Sequence, residues 1–229
     1  MEPLVPDISL VIPTYRGEAR LAPLLEEIAL VLAGYAYELI LVDDGSGGDT
    51  AAELERMCRR YRRHRVVVLE KNRGQQEATL AGLEGCDGTI LVTLDDDGAH
   101  DPADIPKLLT VLDQGFDLVF GVPLGRGGGG IRPGSRFRDR LFYRLLGAPR
   151  GVRVSSFRAF RRALLQQALR EPLPGFIYLS ALLLRQQPPS GSLEVFYRRG
   201  GPSRYGFRAR LVLFLKLFYF YGIRRPFRG

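Results

Sequence analysis

The chain has 229 residues, of which 45% are hydrophobic and 25% are charged. This length and composition are typical of one large globular domain and exclude an intrinsically disordered chain. No apolar run reaches the roughly 18 residues that a membrane-spanning helix needs, and the acidic N-terminal stretch lacks the apolar core of a signal peptide. Two cysteines, Cys58 and Cys86, make neither a disulfide framework nor a zinc site, so a reducing, cytoplasmic setting is expected.

The charge is unevenly divided along the chain. Residues 1–120 hold 22 acidic and 11 basic side chains, whereas residues 121–229 hold 3 acidic and 22 basic ones. Such asymmetry indicates that the second half faces something anionic, which could be nucleic acid, a phosphate group or a membrane surface.

Strands and helices alternate over the first 120 residues. Five short apolar runs are typical of β-strands, at residues 8–12, 38–42, 66–69, 89–94 and 117–121. Helical apolar spacing occurs between them, at residues 21–32, 50–61, 74–83 and 104–113. This order predicts an α/β fold with a mainly parallel sheet covered on both faces, in which ligands bind beyond the C-terminal ends of the strands.

The second half is less regular and shows no internal repeat. Residues 124–135 contain four consecutive glycines and predict a mobile loop. The remaining patterns predict a helix over 136–146, an extended segment turning helical over 157–169, a strand over 193–197 and a helix over 207–221.

Three consecutive aspartates, Asp95 to Asp97, are the sharpest chemical signal. They follow the fourth predicted strand, and in an extended chain Asp95 and Asp97 point the same way. Two carboxylates on one side suit a hard divalent cation such as Mg²⁺ or Mn²⁺. The alternative is a solvated acidic turn before the next helix. His100 is a weaker candidate for a third ligand, and a histidine exposed on a surface loop is the favoured alternative.

Two further motifs follow predicted strands. Asp43 and Asp44, before Gly-Ser, could accept hydrogen bonds from a base or a ribose, or could simply form a turn. Asn72-Arg73-Gly74 opens a helix whose N-terminus favours anions, although an ordinary helix start fits equally well. The Gly-x-Gly-x-x-Gly fingerprint is missing after the first strand, which argues against a nicotinamide or flavin enzyme.

Taken together, these motifs resemble the family 2 glycosyltransferases with the GT-A fold, and most of all the polyprenyl-phosphate glycosyltransferases. The resembling stretches are ISLVIPTY, ELILVDDGSGGDT, NRGQQEATLAGLEGCDGTILVTLDDDGAHDPADIPKLL, DLVFGV, SSFRAFRR and GGPSRYGFRARL. They are distributed over nearly the whole chain, and their combination is more specific than any one of them.

The resemblance implies a role for individual residues. The nucleotide would be bound by Pro13, Tyr15, Asp43, Asp44, Asn72, Gly74, Asp95 and Asp96. Asp95 and Asp97 would hold Mg²⁺ or Mn²⁺ on the donor diphosphate, and Arg158 would act beside them as a catalytic residue close to the phosphates. The acceptor phosphate would be bound by Arg126, Arg198, Ser203 and Arg204. For Arg158, Arg198 and Arg204 the alternative is a solvated basic surface.

The chain departs from the family pattern in three places. Arg16-Gly17 stands where many relatives have Asn-Glu, and Gly98-Ala99 stands where Leu-Gln is common. Relatives often carry an acidic residue just before the Phe-Arg segment, whereas residues 151–156 contain no carboxylate. A hydroxyl acceptor needs a general base, but a phosphate acceptor is already largely ionised at neutral pH.

The function implied by the resemblance is a metal-dependent, inverting transfer of one sugar from a nucleotide-sugar to a polyprenyl phosphate, dolichyl or undecaprenyl. One alternative is a family 2 enzyme acting on a saccharide hydroxyl. Another is a basic module that binds nucleotides or RNA without catalysis, although the expected partners do not include nucleic acid. The expected domains are a GT-A domain over 1–205, with a nucleotide-binding half (1–121) and an acceptor half (122–205), and a membrane-interface segment over 206–229.

The predicted C-terminal helix is expected to contact a membrane. Residues 211–221 read LVLFLKLFYFY, which is too short to span a bilayer and too apolar to lie exposed in water. Arginines flank this run, so peripheral binding at the cytoplasmic, anionic face of a membrane is expected, with packing in the protein core as the alternative. A membrane-spanning partner protein and a homo-oligomer are further expectations.

Overall fold

The computed structural model describes residues 7–61, 63–124, 146–198 and 207–223. The strands are β1 (Ile8–Thr14), β2 (Tyr37–Asp43), β3 (His64–Val68), β4 (Ile90–Thr93), β5 (Leu118–Pro123), β6 (Arg158–Arg161) and β7 (Ser190–Val195). The α-helices are α1 (Glu18–Val31), α2 (Thr50–Cys58), α3 (Gln75–Leu83), α4 (Ile105–Leu112), α5 (Arg162–Leu169), α6 (Leu179–Leu184) and α7 (Phe207–Leu217). A 3₁₀ turn, Pro102–Asp104, precedes α4, and a π-helical turn, Phe218–Ile223, continues α7.

All seven strands form one sheet in the order β3-β2-β1-β4-β6-β5-β7. The predicted mainly parallel sheet is confirmed, with β6 as the exception: it runs antiparallel to both β4 and β5. Because β6 runs the other way, its first residue, Arg158, lies opposite Thr93, the last residue of β4. The start of β6 therefore falls at the edge of the sheet where the parallel strands end, which we call the C-terminal edge.

β1 is two residues longer than the sequence predicts, because Pro13 does not end it. β1 pairs with β4 over Ile8 to Val11 only, and beyond that point its remaining neighbour is β2, where Pro13 lies opposite Val42. A proline lacks the N–H that a central strand needs, but it is tolerated where one side of the strand has no partner.

Helices cover both faces of the sheet, as predicted. Alternate residues of the central strands point to opposite faces, so that Leu10 and Leu39 join a core beneath α1, α2 and α4, whereas Val11 and Ile40 join a second core. The second core lies beneath α3, α5, α6 and α7. This double cover explains the near-continuous apolar runs in the strand sequences.

The C-terminal helix packs onto the second core by one side. Leu217 and Tyr221 are buried there. The Tyr221 hydroxyl accepts from the backbone N–H of Tyr178 at 3.0 Å and donates to the carbonyl of Phe176 at 3.0 Å. Within the described ranges, no helix combines the length and the apolar character that crossing a bilayer requires.

Several sequence predictions lie outside the described residues. They are the glycine-rich stretch after Leu124, the helix over 136–145, the domain boundary at 205 and the residues Arg126, Ser203 and Arg204. Conversely, the sequence did not predict α6, a six-residue helix buried along its whole length.

Candidate active site

The three aspartates follow β4 at the C-terminal edge, and their side chains diverge. Asp95 is half-buried, Asp96 is buried and Asp97 is exposed. The Asp95 carboxylate accepts from the side-chain amide of Gln75 on one oxygen and from the Ser156 hydroxyl, at 2.6 Å, on the other. Asp95 is thereby fixed by residues from the start of α3 and from the segment before β6.

The surroundings of Asp95 make its carboxylate responsive to a nearby cation. Burial raises the pKa of Asp95, and the charge of Asp97 raises it further, while the hydrogen bond from Ser156 opposes both effects. A carboxylate that is costly to ionise in isolation gains from a divalent cation that neutralises it.

Asp97 lies close enough to Asp95 for its charge to act on that carboxylate. Its Oδ1 accepts from the backbone N–H of Ala99 at 3.0 Å, and its exposed side chain keeps a second oxygen. The two carboxylates supply the hard oxygen donors that Mg²⁺ and Mn²⁺ accept. The described residues contain no group of three or more His, Cys, Asp or Glu side chains placed to hold a metal ion.

Asp96 points the other way, towards β1. Its Oδ2 accepts from the Thr14 hydroxyl at 2.7 Å and from the Arg20 guanidinium at 3.1 Å. The predicted nucleotide contact of Asp96 stays a prediction. Its described role is to fasten the ends of β1 and β4 together.

Asp43 forms the turn that the sequence left open as an alternative. Its Oδ1 accepts from both the backbone N–H of Ser46, at 3.1 Å, and the Ser46 hydroxyl, at 2.5 Å. Gly45, at φ 72°, passes so close to the backbone of Lys71 that a Cβ would lie 2.4 Å from its carbonyl carbon. The turn after β2 is thus packed directly against the loop after β3.

Asp44 organises that second loop. One of its oxygens accepts from the backbone N–H of Arg73 at 2.7 Å, and the other accepts from the backbone N–H of Gly74 at 2.9 Å. Gly74 takes φ 89°, a conformation that favours glycine, as α3 begins. Asn72 is exposed beside them. The carboxylate and the loop form one unit at the C-terminal edge, and the predicted nucleotide contacts of these residues remain untested.

Pro13 and Tyr15 lie at the end of β1, next to this unit. Pro13 is buried, whereas the Tyr15 ring is 41% exposed. The backbone N–H of Asp44 donates to the carbonyl of Thr14 at 2.9 Å, which ties the end of β1 to the end of β2. The motifs predicted to bind a nucleotide therefore converge on one edge of the sheet.

Arg158 is only 2% exposed and lies behind Asp95. Its Nε donates to the Thr93 hydroxyl at 3.0 Å and to the Ser156 carbonyl at 3.3 Å, and one terminal nitrogen donates to the Ser180 hydroxyl at 2.6 Å. Burial lowers the pKa of Arg158 to about 10, so that the guanidinium stays charged at neutral pH. Its described contacts link it to Asp95 through Ser156, and the catalytic role expected of it stays a prediction.

Arg198 was expected to bind the acceptor phosphate, and in the structure its side chain contacts two acidic residues. Its guanidinium binds both carboxylate oxygens of Glu27, at 2.7 and 2.8 Å, and lies 3.0 Å from an oxygen of Asp101. The predicted contact with an acceptor phosphate would compete with these two partners.

His100 is buried between two aromatic rings, not exposed on a loop. The ring centroids of Phe157 and Tyr197 lie 5.1 and 5.2 Å from that of His100, and its Nδ1 is buried with no hydrogen-bond partner among the described residues. Burial lowers the pKa of His100, although the charges of Asp95 and Asp97 act in the opposite direction.

This environment predicts a loss of stability on acidification. Below about pH 6.5 His100 is protonated in the unfolded chain but not in the folded chain. The free energy of unfolding therefore decreases as the pH is lowered, and His100 contributes at most about 1.4 kcal/mol to this decrease for each pH unit. The loss continues until the pH reaches the lower, folded-state pKa. Urea unfolding of the metal-free protein at pH 7, 6.5 and 5.5 measures it.

The variant His100→Phe serves as the control, because every other titrating group is retained. Its free energy of unfolding should fall less steeply between pH 6.5 and 5.5 than that of the wild type. Equal slopes for the two proteins would contradict the assignment to His100.

Sequence reasoning missed the residues that hold the aspartates in place. Gln75 and Ser156 bind Asp95, Thr14 and Arg20 bind Asp96, and Ser180 binds Arg158. Gln75 and Ser156 lie in stretches that resemble the family. The resemblance drew attention to these stretches, but it did not indicate that the two side chains bind Asp95.

Comparison with known proteins gives a consistent result. A family model described as Glycosyl transferase family 2 matches residues 9–169. The chain is 34% identical over 171 residues to an undecaprenyl-phosphate 4-deoxy-4-formamido-L-arabinose transferase of Klebsiella pneumoniae, covering 73% of this chain and 52% of that protein. A protein of the same name from Shewanella sediminis is 31% identical over 218 residues, covering 92% of this chain and 65% of that protein. The chain thus spans about half to two thirds of the length of these relatives.

Solved structures share the fold at lower identity. Glucosyl-3-phosphoglycerate synthase from Mycobacterium tuberculosis, in complex with Mn²⁺, UDP and phosphoglyceric acid, aligns with a TM-score of 0.68 and 23% identity over 96% of this chain and 80% of that one. A mannosyltransferase from Pyrobaculum calidifontis, in complex with GDP-mannose and Mn²⁺, aligns with a TM-score of 0.65 and 18% identity over 94% of this chain and 63% of that one.

Proposed function

The chain belongs to glycosyl transferase family 2 and has the GT-A fold, and from this premise we propose that it transfers one sugar from a nucleotide-sugar to a polyprenyl phosphate. The observation that carries the proposal is the pair Asp95 and Asp97 at the C-terminal edge, beside the nucleotide motifs. Residues 151–156, where relatives often carry an acidic residue, contain no carboxylate. The names of the curated relatives support the choice of acceptor.

The donor would lie along the ends of β1, β2 and β4. Asp95 and Asp97 would hold Mg²⁺ or Mn²⁺, which supplies charge neutralisation to the leaving nucleoside diphosphate. Gln75 and Ser156 keep the two oxygens of Asp95 in fixed directions, so that this carboxylate needs no reorganisation as charge develops.

The acceptor side needs no general base in this proposal. A phosphate monoester has a second pKa of about 6, so its oxygen is already a competent nucleophile at neutral pH. Among the described residues of the predicted acceptor half, Glu194 lies 3.4 Å from the Arg153 guanidinium. An attack on the anomeric carbon from the face opposite the diphosphate gives inversion.

A transfer assay tests this function directly. The purified chain is incubated with Mn²⁺ or Mg²⁺, a panel of nucleotide-sugars and either a short polyprenyl phosphate or the matching polyprenol, and products are detected by mass. We expect product with the phosphate alone, and none in EDTA. Transfer to the polyprenol or to a saccharide hydroxyl would favour the hydroxyl-acceptor alternative, and nucleotide binding without any transfer would favour a binding module.

We further propose that the C-terminal helix contacts the membrane that holds such a lipid. The side of the helix opposite Leu217 and Tyr221 exposes large apolar side chains at helical spacing, namely Val212, Leu215, Phe218 and Tyr219. One side of this helix packs in the protein core, and the opposite side is available to contact a membrane. A contact on the cytoplasmic face agrees with Cys58 and Cys86, which are buried free thiols.

Flotation with liposomes tests the membrane contact. The double variant Leu215→Gln/Phe218→Gln should bind anionic vesicles about tenfold more weakly than the wild type, because two exposed apolar side chains no longer enter the interface. A matched variant, Leu30→Gln/Tyr35→Gln, changes two exposed apolar side chains elsewhere and should float as the wild type does. Equal flotation of all three proteins would refute the contact.

A further inference from the structure

Arg16 has an unfavourable backbone conformation at the centre of the nucleotide motifs. Its φ is 49°, in the left-handed region that non-glycine residues rarely occupy. Asn adopts that conformation more readily than Arg does. A strained residue persists where its surroundings hold it in place, and such residues cluster at ligand sites.

A chain of hydrogen bonds holds Arg16 in this conformation. Its backbone N–H donates to the Ser46 hydroxyl at 2.9 Å, and that hydroxyl donates to Asp43 at 2.5 Å. The turn after β2 thus fixes the loop after β1. The side chain gains little from the arrangement, since it is exposed and lacks an ion-pair partner among the described residues.

The Arg16 side chain lies over the ring of its neighbour Tyr15. The Arg16 guanidinium carbon lies 5.2 Å from the centroid of the Tyr15 ring, and both side chains are exposed at the C-terminal edge. Aromatic rings and guanidinium planes are the surfaces on which nucleobases stack, and guanidinium N–H groups donate to base carbonyl oxygens. Arg supplies both properties, whereas Lys supplies only charge.

We propose that Arg16 is a specificity-determining residue for the donor: with Tyr15 it forms the platform for the nucleobase and donates to a carbonyl oxygen on the base edge. This inference rests on the proposed function and deepens it, because it names the chemistry of the base. Uracil and guanine carry such an oxygen and adenine does not, so the site would favour uridine or guanosine diphosphates over ADP.

The test measures binding of UDP, GDP and ADP with Mn²⁺ by calorimetry, and the melting temperature without nucleotide. The variant Arg16→Asn relieves the strain and should melt at the wild-type temperature or about 2 °C above it. Its affinity for the nucleotide that the wild type prefers should fall about tenfold, the amount expected for one lost base-stacking contact. Arg16→Lys should bind as weakly as Arg16→Asn.

The control is Arg59→Asn, the same change at an exposed arginine after α2, which should bind as the wild type does. Wild-type affinity in Arg16→Asn would overturn the inference alone, and so would recovery in Arg16→Lys, which would indicate attraction of the diphosphate by charge. A wild-type protein that binds none of the three nucleotides would overturn the proposed function, and this inference with it.

Discussion

Replacing Asp97 by asparagine is expected to lower the rate of sugar transfer about a thousandfold while leaving the melting temperature unchanged. Asp97 is exposed and accepts one described hydrogen bond, from the backbone of Ala99, which an asparagine oxygen can also accept. The fold therefore loses little. The proposed metal site, in contrast, loses one of two charged protein ligands, which costs several kcal/mol of transition-state stabilisation, or about 4 kcal/mol for a thousandfold change.

Two measurements separate the metal from the chemistry. The affinity for Mn²⁺ in the presence of nucleoside diphosphate should fall together with the transfer rate. Asp113→Asn makes the same change at an exposed aspartate at the end of α4 and should leave both quantities as they are. Near-native turnover by folded Asp97→Asn would disprove the metal assignment.

Replacing Arg158 by leucine is expected to lower the free energy of unfolding by about 3 kcal/mol. The guanidinium is almost entirely buried, and its removal leaves the hydroxyls of Thr93 and Ser180 without their charged partner. It also removes a positive charge that acts on the half-buried carboxylate of Asp95. Each buried polar group left unpaired costs about 1–3 kcal/mol, and an uncompensated buried charge costs more.

Arg161→Leu is the matched control, because it lies in the same strand. Its side chain is 41% exposed, and its ion pairs with Asp113 and Asp117 are long, at 3.9 and 3.6 Å. Exposed pairs of this kind contribute about 0–1 kcal/mol. Chemical denaturation should therefore give a clearly larger loss for Arg158→Leu. Equal losses of stability would show that the buried contacts of Arg158 stabilise the fold no more than the exposed ion pairs of Arg161 do.

The sequence was sufficient for much of the fold because the strands and helices of the first 120 residues have strong periodicity. The antiparallel direction of β6 was not predictable in this way, since four residues, RAFR, carry no information about which way a strand enters a sheet. The helix α6 was not predicted, for a related reason. It is short and buried on every side, so it lacks the polar face that marks a helix in a sequence.

The candidate site, too, was predictable from the sequence only in part. Alternation along an extended chain predicted Asp95 and Asp97 on one side. In the structure Asp96 and Asp97 lie in a turn, where Asp96 contacts Thr14 and Arg20 and Asp97 contacts the backbone of Ala99. The partners of Asp95 could not be found from spacing, since Ser156 lies 61 positions further along the chain. Such contacts depend on the order of strands in the sheet, which local patterns do not encode.

The position of β6 also constrains how this chain can be divided. Its place between β4 and β5 means that β4, which lies within the predicted nucleotide-binding half (1–121), pairs with a segment synthesised some 70 residues later. A fragment ending at residue 121 would leave one side of β4 as an unpaired edge and would lack Ser156 beside Asp95. The two halves are therefore interleaved parts of one folding unit, and neither could be exchanged between relatives as a separate module.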